Sequence, residues 1–333
     1  MIRYSVIIRT MGKAGDKYQR LLNSIELLKP KPEEVIVVLP DGYPKPKEQL
    51  GWETFYHCPK GMVTQRLFGI NKCKSQYALI CDDDVAFSSD FIQKLHQPLK
   101  EGKAELSAGP LLSYLPKKGL GSIFYAITGA AIPRFSSRGK YISILPTTGY
   151  SYYRSIDTTK KYYLNAESLP WTCFYGNVST LKKIKLEDEW WLQLNGYAAL
   201  DDQTMFYKAY LMGIKTVVVS DAVYEHLDAK TSRRIPKDIS YAMEFNRYVF
   251  WHRFIYNLDN GLLKKATDLF CFRYYLIWKS IYNLYRLING TLDKEAYQLK
   301  RLALKEARKF VKVDSNYRQL LNDCPLKNRG DTH

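Results

Sequence analysis

The chain has 333 residues, 46% hydrophobic and 25% charged, a composition that excludes disordered and fibrous classes and suits a folded globular protein. Its formal net charge is +17, from 50 Lys and Arg against 33 Asp and Glu, so an anionic partner is expected: a phosphorylated substrate, anionic lipid or nucleic acid. Six scattered cysteines (Cys58, Cys73, Cys81, Cys173, Cys271, Cys324) with no CxxC pair argue against a disulfide framework or structural zinc, and for reduced thiols in a cytosolic setting.

The length suggests two domains, and the charge is uneven between them. Residues 230–333 hold 21 Lys and Arg against 10 Asp and Glu, whereas residues 1–229 hold 29 against 23. MIRYSVIIRT runs straight into an apolar strand, so no leader peptide is expected. The longest uncharged run, GLGSIFYAITGAAIP between Lys118 and Arg134, is shorter than the ~18 residues a spanning helix needs.

In chain order, SVIIRT (5–10) is a β-branched, buried strand, and Lys17–Leu28 shows helical spacing in Tyr18, Leu21, Leu22, Ile25 and Leu28. EVIVVL (34–39) is a second buried strand closed by Pro40-Asp41-Gly42, with a short strand at 54–57 and a helix over 61–74 after it. YALIC (77–81) is a strand that ends in Asp82-Asp83-Asp84. Alternating strands and helices imply βαβ units, a parallel sheet, and ligands at the strands' C-terminal ends. Residues 110–165 mix Gly, Pro, Ser, Tyr and Lys without period and read as an irregular insert with a hairpin or two. A helix over 201–212 and the strand Thr216–Val219 follow, and beyond 236 the pattern is helical, with a periodic apolar segment from Leu262 to Ile288 and a charged helix over 293–312.

Three consecutive aspartates after an apolar strand repel one another, and a divalent cation, manganese or magnesium, removes the conflict; a solvated turn is the plainer explanation. Asp201-Asp202 open a helix, where carboxylates complement the helix dipole as caps or serve as a general base at a pocket rim. His226, beside Glu225, is structural or a ligand.

Taken in order, these motifs resemble family 2 glycosyltransferases of the GT-A fold. SVIIRT matches the family's first strand, VIVVLPDG its second, GMVTQRLFG the block carrying its arginine at Arg66, CDDDV its DxD motif, LDDQ its acidic pair, and EHLDAKTS its late histidine. The departures are Arg9 where proline is common, Leu39-Pro40 in the second-strand turn, Leu67 for asparagine, and Asp201 for glutamate. The resemblance implies an α/β GT-A fold, a Rossmann-like, mostly parallel central sheet flanked by helices. The catalytic domain would span 1–235, with an acceptor-side insert at 110–165 and a helical extension at 236–333.

The same resemblance implies roles. Thr10 and Asp41 would line the nucleobase pocket, and Arg66 would approach the nucleotide. Asp82 and Asp83 would face the donor. Asp84 and His226 would hold Mn2+ or Mg2+, while Asp202 would be the general base and Asp201 its neighbour. The implied activity is inverting, metal-dependent transfer of a sugar from a nucleotide-sugar donor to a saccharide or lipid-linked acceptor, as in bacterial surface polysaccharide or glycolipid synthesis. Trp190 and Trp191 could stack on an acceptor ring or belong to the core. Residues 241–290 carry 14 aromatic residues among Lys and Arg, which suits either an interfacial element on anionic membrane or a helical appendage packed on the catalytic domain. A cytoplasmic enzyme at the inner face of the cell membrane is therefore expected. The competing class is a non-catalytic polymer- or nucleic-acid-binding protein on the same fold; it explains the charge and leaves the acidic motifs without a task.

Overall fold

The computed structural model describes residues 2–112, 140–228, 236–258 and 261–322. Its first half is a parallel sheet built from β1 (Tyr4–Arg9), β2 (Glu34–Pro40), β3 (Thr54–Cys58) and β4 (Tyr77–Asp82), in spatial order β3-β2-β1-β4. The continuous apolar runs of β1, β2 and β4 are buried on both faces, as a sheet covered by helices on each side requires. Helix α1 (Asp16–Leu27) covers one face with Tyr18, Leu21, Leu22 and Ile25, which join Val6, Ile8, Val35 and Leu79 in one core. On the other face lies α2 (Met62–Lys72), whose Val63 and Ile70 meet Ile7, Ile36 and Ile80. Gly69 lets α2 approach β1 closely: a Cβ there would sit 2.4 Å from Ile7 Cγ2.

The chain then makes β5 (Val85–Phe87), α3 (Phe91–Lys100), β6 (Leu106–Ala108), β7 (Ile142–Ile144), β8 (Ser151–Tyr153), β9 (Tyr163–Asn165) and β10 (Cys173–Asn177). After a short helix α4 (Val178–Lys183) come α5 (Asp201–Leu211), β11 (Thr216–Val219) and β12 (Tyr224–His226). The completed eight-stranded sheet runs β3-β2-β1-β4-β10-β6-β11-β9, with β10 and β9 antiparallel to their neighbours. The mostly parallel sheet expected from the strand–helix alternation is present. The short strands β5, β6, β10 and β12 are not distinguished in the sequence, because three to five residues are too few for a period to emerge; the ten-residue helix α3, which has Pro98 inside it, is not distinguished either. In the insert, β7 and β8 pair as an antiparallel hairpin, while residues 113–139, including the uncharged run, lie outside the described residues.

The C-terminal region contributes α6 (Pro236–Trp251), continued by a π-helical turn at His252–Tyr256, then α7 (Leu262–Ile288), α8 (Lys294–Val313) and α9 (Ser315–Asn322). Asp293 caps α8 by accepting from the Ala296 N–H at 2.8 Å. The same apolar core that holds Ile7 and Phe206 continues through Phe250, Trp251, Phe272, Ala303 and Tyr317. Asn246 seals the join by donating to the Leu192 and Ala199 carbonyls at 3.0 and 2.9 Å.

Candidate active site

Thr10 follows β1, Asp41 follows β2 and Asp82 ends β4, so all three stand at the C-terminal edge of the parallel strands, where such sheets bind ligands. The register pairs Arg9 with Asp82 across β1 and β4, and the Arg9 Nε donates to Asp82 Oδ1 at 3.1 Å. Burial works against the Arg9 charge, but Asp82 and Asp83 outweigh it and raise its pKa. Asp83 is buried and accepts from the Thr10 hydroxyl at 2.5 Å; burial pushes its carboxyl up to about 6 against that hydrogen bond and Arg9.

The third aspartate turns the chain from β4 into β5, and β5 is the reason His226 reaches it. Strand β12 pairs with β5 so that His226 faces Val85, and the Leu227 N–H donates to the Asp84 carbonyl at 2.7 Å. The His226 Nε2 thereby lies 3.4 Å from Asp84 Oδ1. The hydrogen bond and charge of Asp84 raise the histidine's pKa against partial burial.

The second acidic motif is brought to the first by one side chain. Arg66, buried in α2, donates through one terminal nitrogen to Asp82 Oδ1 at 2.8 Å and through the other to Asp201 Oδ2 at 2.9 Å, while its guanidinium lies over the Trp171 ring at 4.6 Å. Residues 135 apart in sequence are thus tied together beside the strand end. Leu200, just before α5, has φ of 66°, a left-handed backbone costly for a branched side chain, and this bend turns Asp201 and Asp202 toward Arg66. Asp201 is buried, which raises its pKa, while Arg66 opposes the rise. Asp202 is half-buried and accepts from the Gln203 N–H at 2.6 Å; burial and the charge of Asp201 push its carboxyl up to about 7. Neither carboxylate hydrogen-bonds an amide beyond its next neighbour, so the pair is not explained as helix caps.

Some residues sit differently from expectation. Arg66 has both terminal nitrogens on carboxylates and is 3% exposed, so it holds the two acidic motifs together rather than reaching out to a nucleotide. The Thr10 hydroxyl is given to Asp83, whereas Asp41 is exposed in the turn after β2. Trp191 is fully buried with its indole N–H bonded to Glu189 at 2.8 Å, and Trp190 packs edge-on against Phe310 at 5.8 Å. Trp191 belongs to the core and half-buried Trp190 packs against it, so the acceptor-stacking role does not hold for Trp191. Arg9 was noted in the sequence only as a departure from the family pattern; its place opposite an acidic strand end was the signal for an ion pair.

A metal is tested here by its donor set. Among the described residues no group of three or more His, Cys, Asp or Glu is placed to hold an ion alone. Asp84 and His226 nevertheless offer a carboxylate oxygen and an imidazole nitrogen side by side. This fits manganese or magnesium taking further ligands from phosphate oxygens and water.

Residues 5–151 match the family model described as Glycosyl transferase family 2. No curated protein matches the sequence. Among solved structures, the chain is similar to S. aureus TarS 1-349 in complex with UDP-GlcNAc, at 15% identity and a TM-score of 0.51, covering 96% of this chain and 91% of that one. It is also similar to GalNAc-T7 with UDP, GalNAc and Mn2+, at 12% identity and a TM-score of 0.52, covering 84% of this chain and 55% of that one. At these identities the likeness is one of fold. The chain thus has a GT-A fold, and its residues 5–151 match the family 2 glycosyl transferase model.

Proposed function

We propose that the protein transfers a sugar from a nucleoside-diphosphate sugar to an acceptor hydroxyl with inversion at the anomeric carbon, in the synthesis of a bacterial surface polysaccharide or glycolipid at the cytoplasmic face of a membrane. The observation that carries this reading is the Arg66 bridge, which ties Asp82 at the strand end to Asp201, the chain neighbour of Asp202. The fold shared with structures holding UDP-GlcNAc or UDP supports a nucleotide-sugar donor.

In this reading the nucleotide lies along the edge that carries Thr10 and Asp41, with Asp82 and Asp83 on the donor side. Asp202 takes the proton of the acceptor hydroxyl as its oxygen bonds to the anomeric carbon and the bond to the diphosphate oxygen breaks; the nucleoside diphosphate leaves. A carboxyl near 7 is matched to this task, since it is substantially ionised at neutral pH yet basic enough to accept a proton. Arg66 and Asp201 hold Asp202 in place. Asp84 and His226 would hold Mn2+ or Mg2+, which when bound compensates the charge of the diphosphate.

The test is calorimetry with UDP and other nucleoside diphosphates, with and without Mn2+. Wild type should bind one of them in a manganese-dependent way, and Asp84→Ala should lose that dependence. Unchanged manganese-dependent affinity in the variant would remove Asp84 from the metal site. No manganese-dependent binding by wild type would overturn the donor assignment.

A further inference from the structure

Helix α7 is apolar on two opposite sides. Its inner side is bound to the protein: Phe272 stacks on Trp251 with ring centroids 4.0 Å apart, and Lys279 pairs with Glu244 at 2.7 Å. On the outer side Leu263, Phe270, Ile277, Ile281, Leu284 and Ile288 recur at helical spacing and are each 45–83% exposed. Twenty-seven residues of helix extend roughly 40 Å, so this stripe is long as well as apolar. Exposed apolar surface of such extent marks a contact with another body. Tyr282 and Tyr285 stand at its C-terminal end, 39% and 60% exposed, and their rings suit the boundary between lipid and water.

We propose that the outer side of α7 docks in the plane of an anionic membrane, its apolar stripe sunk among the acyl chains. Charge selects this occupant over a second copy of the chain. Helix α7 carries five Lys and Arg against one Asp, and exposed Arg273 stands three residues after Phe270 and four before Ile277, within the stripe itself, so pairing two copies on this side sets like charge against like. An anionic headgroup layer attracts the same segment, and basic residues near its surface strengthen apolar insertion. No described helix is long and apolar enough to cross a membrane, and α7 docks by lying flat.

The geometry also ties this surface to the acid pair. The turn joining β7 to β8 lies between them: the Gln203 side chain donates to the Gly149 carbonyl at 2.8 Å, Lys264 donates to the Pro146 carbonyl at 3.0 Å, and Tyr150 meets Tyr275 with centroids 6.1 Å apart. Docking would therefore fix the orientation of Asp202 relative to the bilayer and favour a lipid-linked acceptor. That consequence rests on the glycosyltransfer reading, whereas the docking itself does not.

The experiment is co-sedimentation of the full chain with phosphatidylcholine vesicles, with and without phosphatidylglycerol, over a range of salt. Wild type should be retained on the anionic vesicles and released as salt rises. The double variant Ile277→Glu, Ile281→Glu, with circular dichroism and UDP–Mn2+ affinity like wild type, should lose at least about tenfold in vesicle affinity. Arg273→Glu should weaken retention on anionic vesicles alone. The proposal is overturned by wild type retained on neither vesicle or equally on both, or by a double variant retained as well as wild type. It is also overturned if light scattering shows a dimer that the double variant splits, since a second copy then covers the stripe. Vesicle binding without any nucleotide binding would remove the donor assignment and leave the docking intact.

Discussion

Asp202 stands at the start of α5 with its carboxyl near 7, beside a chemical twin, Asp201, that is buried and held by Arg66. The difference is one of environment, and in the proposed reading it gives the proton transfer to the more accessible acid. Asp202→Asn preserves size and the bond from the Gln203 N–H but accepts no proton at neutral pH. Its nucleotide affinity should stay near wild type while transfer falls by roughly two to four orders of magnitude. Wild-type transfer should rise with pH through about 7 and level off above it, a dependence the variant should lack. Stability should move in the opposite sense. The folded carboxyl is raised above the unfolded value of about 3.9, so between the two the folded state holds a proton that the unfolded state has released, and stability falls as pH rises across that window. Calorimetric melting should show Asp202→Asn gaining on wild type from pH 4 to pH 8. Equal transfer in the two proteins would move the base elsewhere. It would not move to Glu189, which is fully buried in an ion network.

That network joins elements. Glu189 accepts from Arg253 Nε at 2.6 Å and Arg253 Nη2 at 2.9 Å, pairs with Lys208 of α5 at 3.0 Å, and takes the Trp191 indole N–H. Burial works against its charge, and Arg253 then Lys208 overcome this and hold its pKa below the usual carboxylate range. Removing one member of a buried ion pair leaves its partner charged without compensation. Glu189→Gln should therefore lower the unfolding free energy by about 3–5 kcal/mol in urea titration, an effect far larger than any surface pair produces. A loss below about 1 kcal/mol would show that water reaches Arg253 and Lys208 once the carboxylate is gone.

At the scale of the molecule, the core runs unbroken from the sheet into the C-terminal helices: Trp191, Phe250, Trp251, Phe272 and Tyr317 belong to one cluster. Residue 236 marks a change in sequence character, yet α6 packs with Asn246 bonded into the catalytic part and with Arg253 held by Glu189 immediately beyond it. Unfolding of the full chain should be a single calorimetric transition, and a chain ending at residue 235 should be insoluble or lack it. Two separate transitions, the first leaving nucleotide binding intact, would identify the C-terminal helices as an independent domain.

The sequence by itself determined the parts with strong local signals. Continuous apolar runs made β1, β2 and β4, since a strand buried on both faces needs no alternation. Helical spacing made α1 and α7, and acids after an apolar run announced the end of β4. Only the tertiary structure decided which acids share a site, because that depends on β12 pairing with β5 and on Arg66 reaching both motifs. It also separated Asp201 from Asp202, placed Trp191 in the core, and left one side of α7 bare. Spacing shows that a helix has an apolar stripe; burial of that stripe is a property of what packs on it, and no local pattern carries that information.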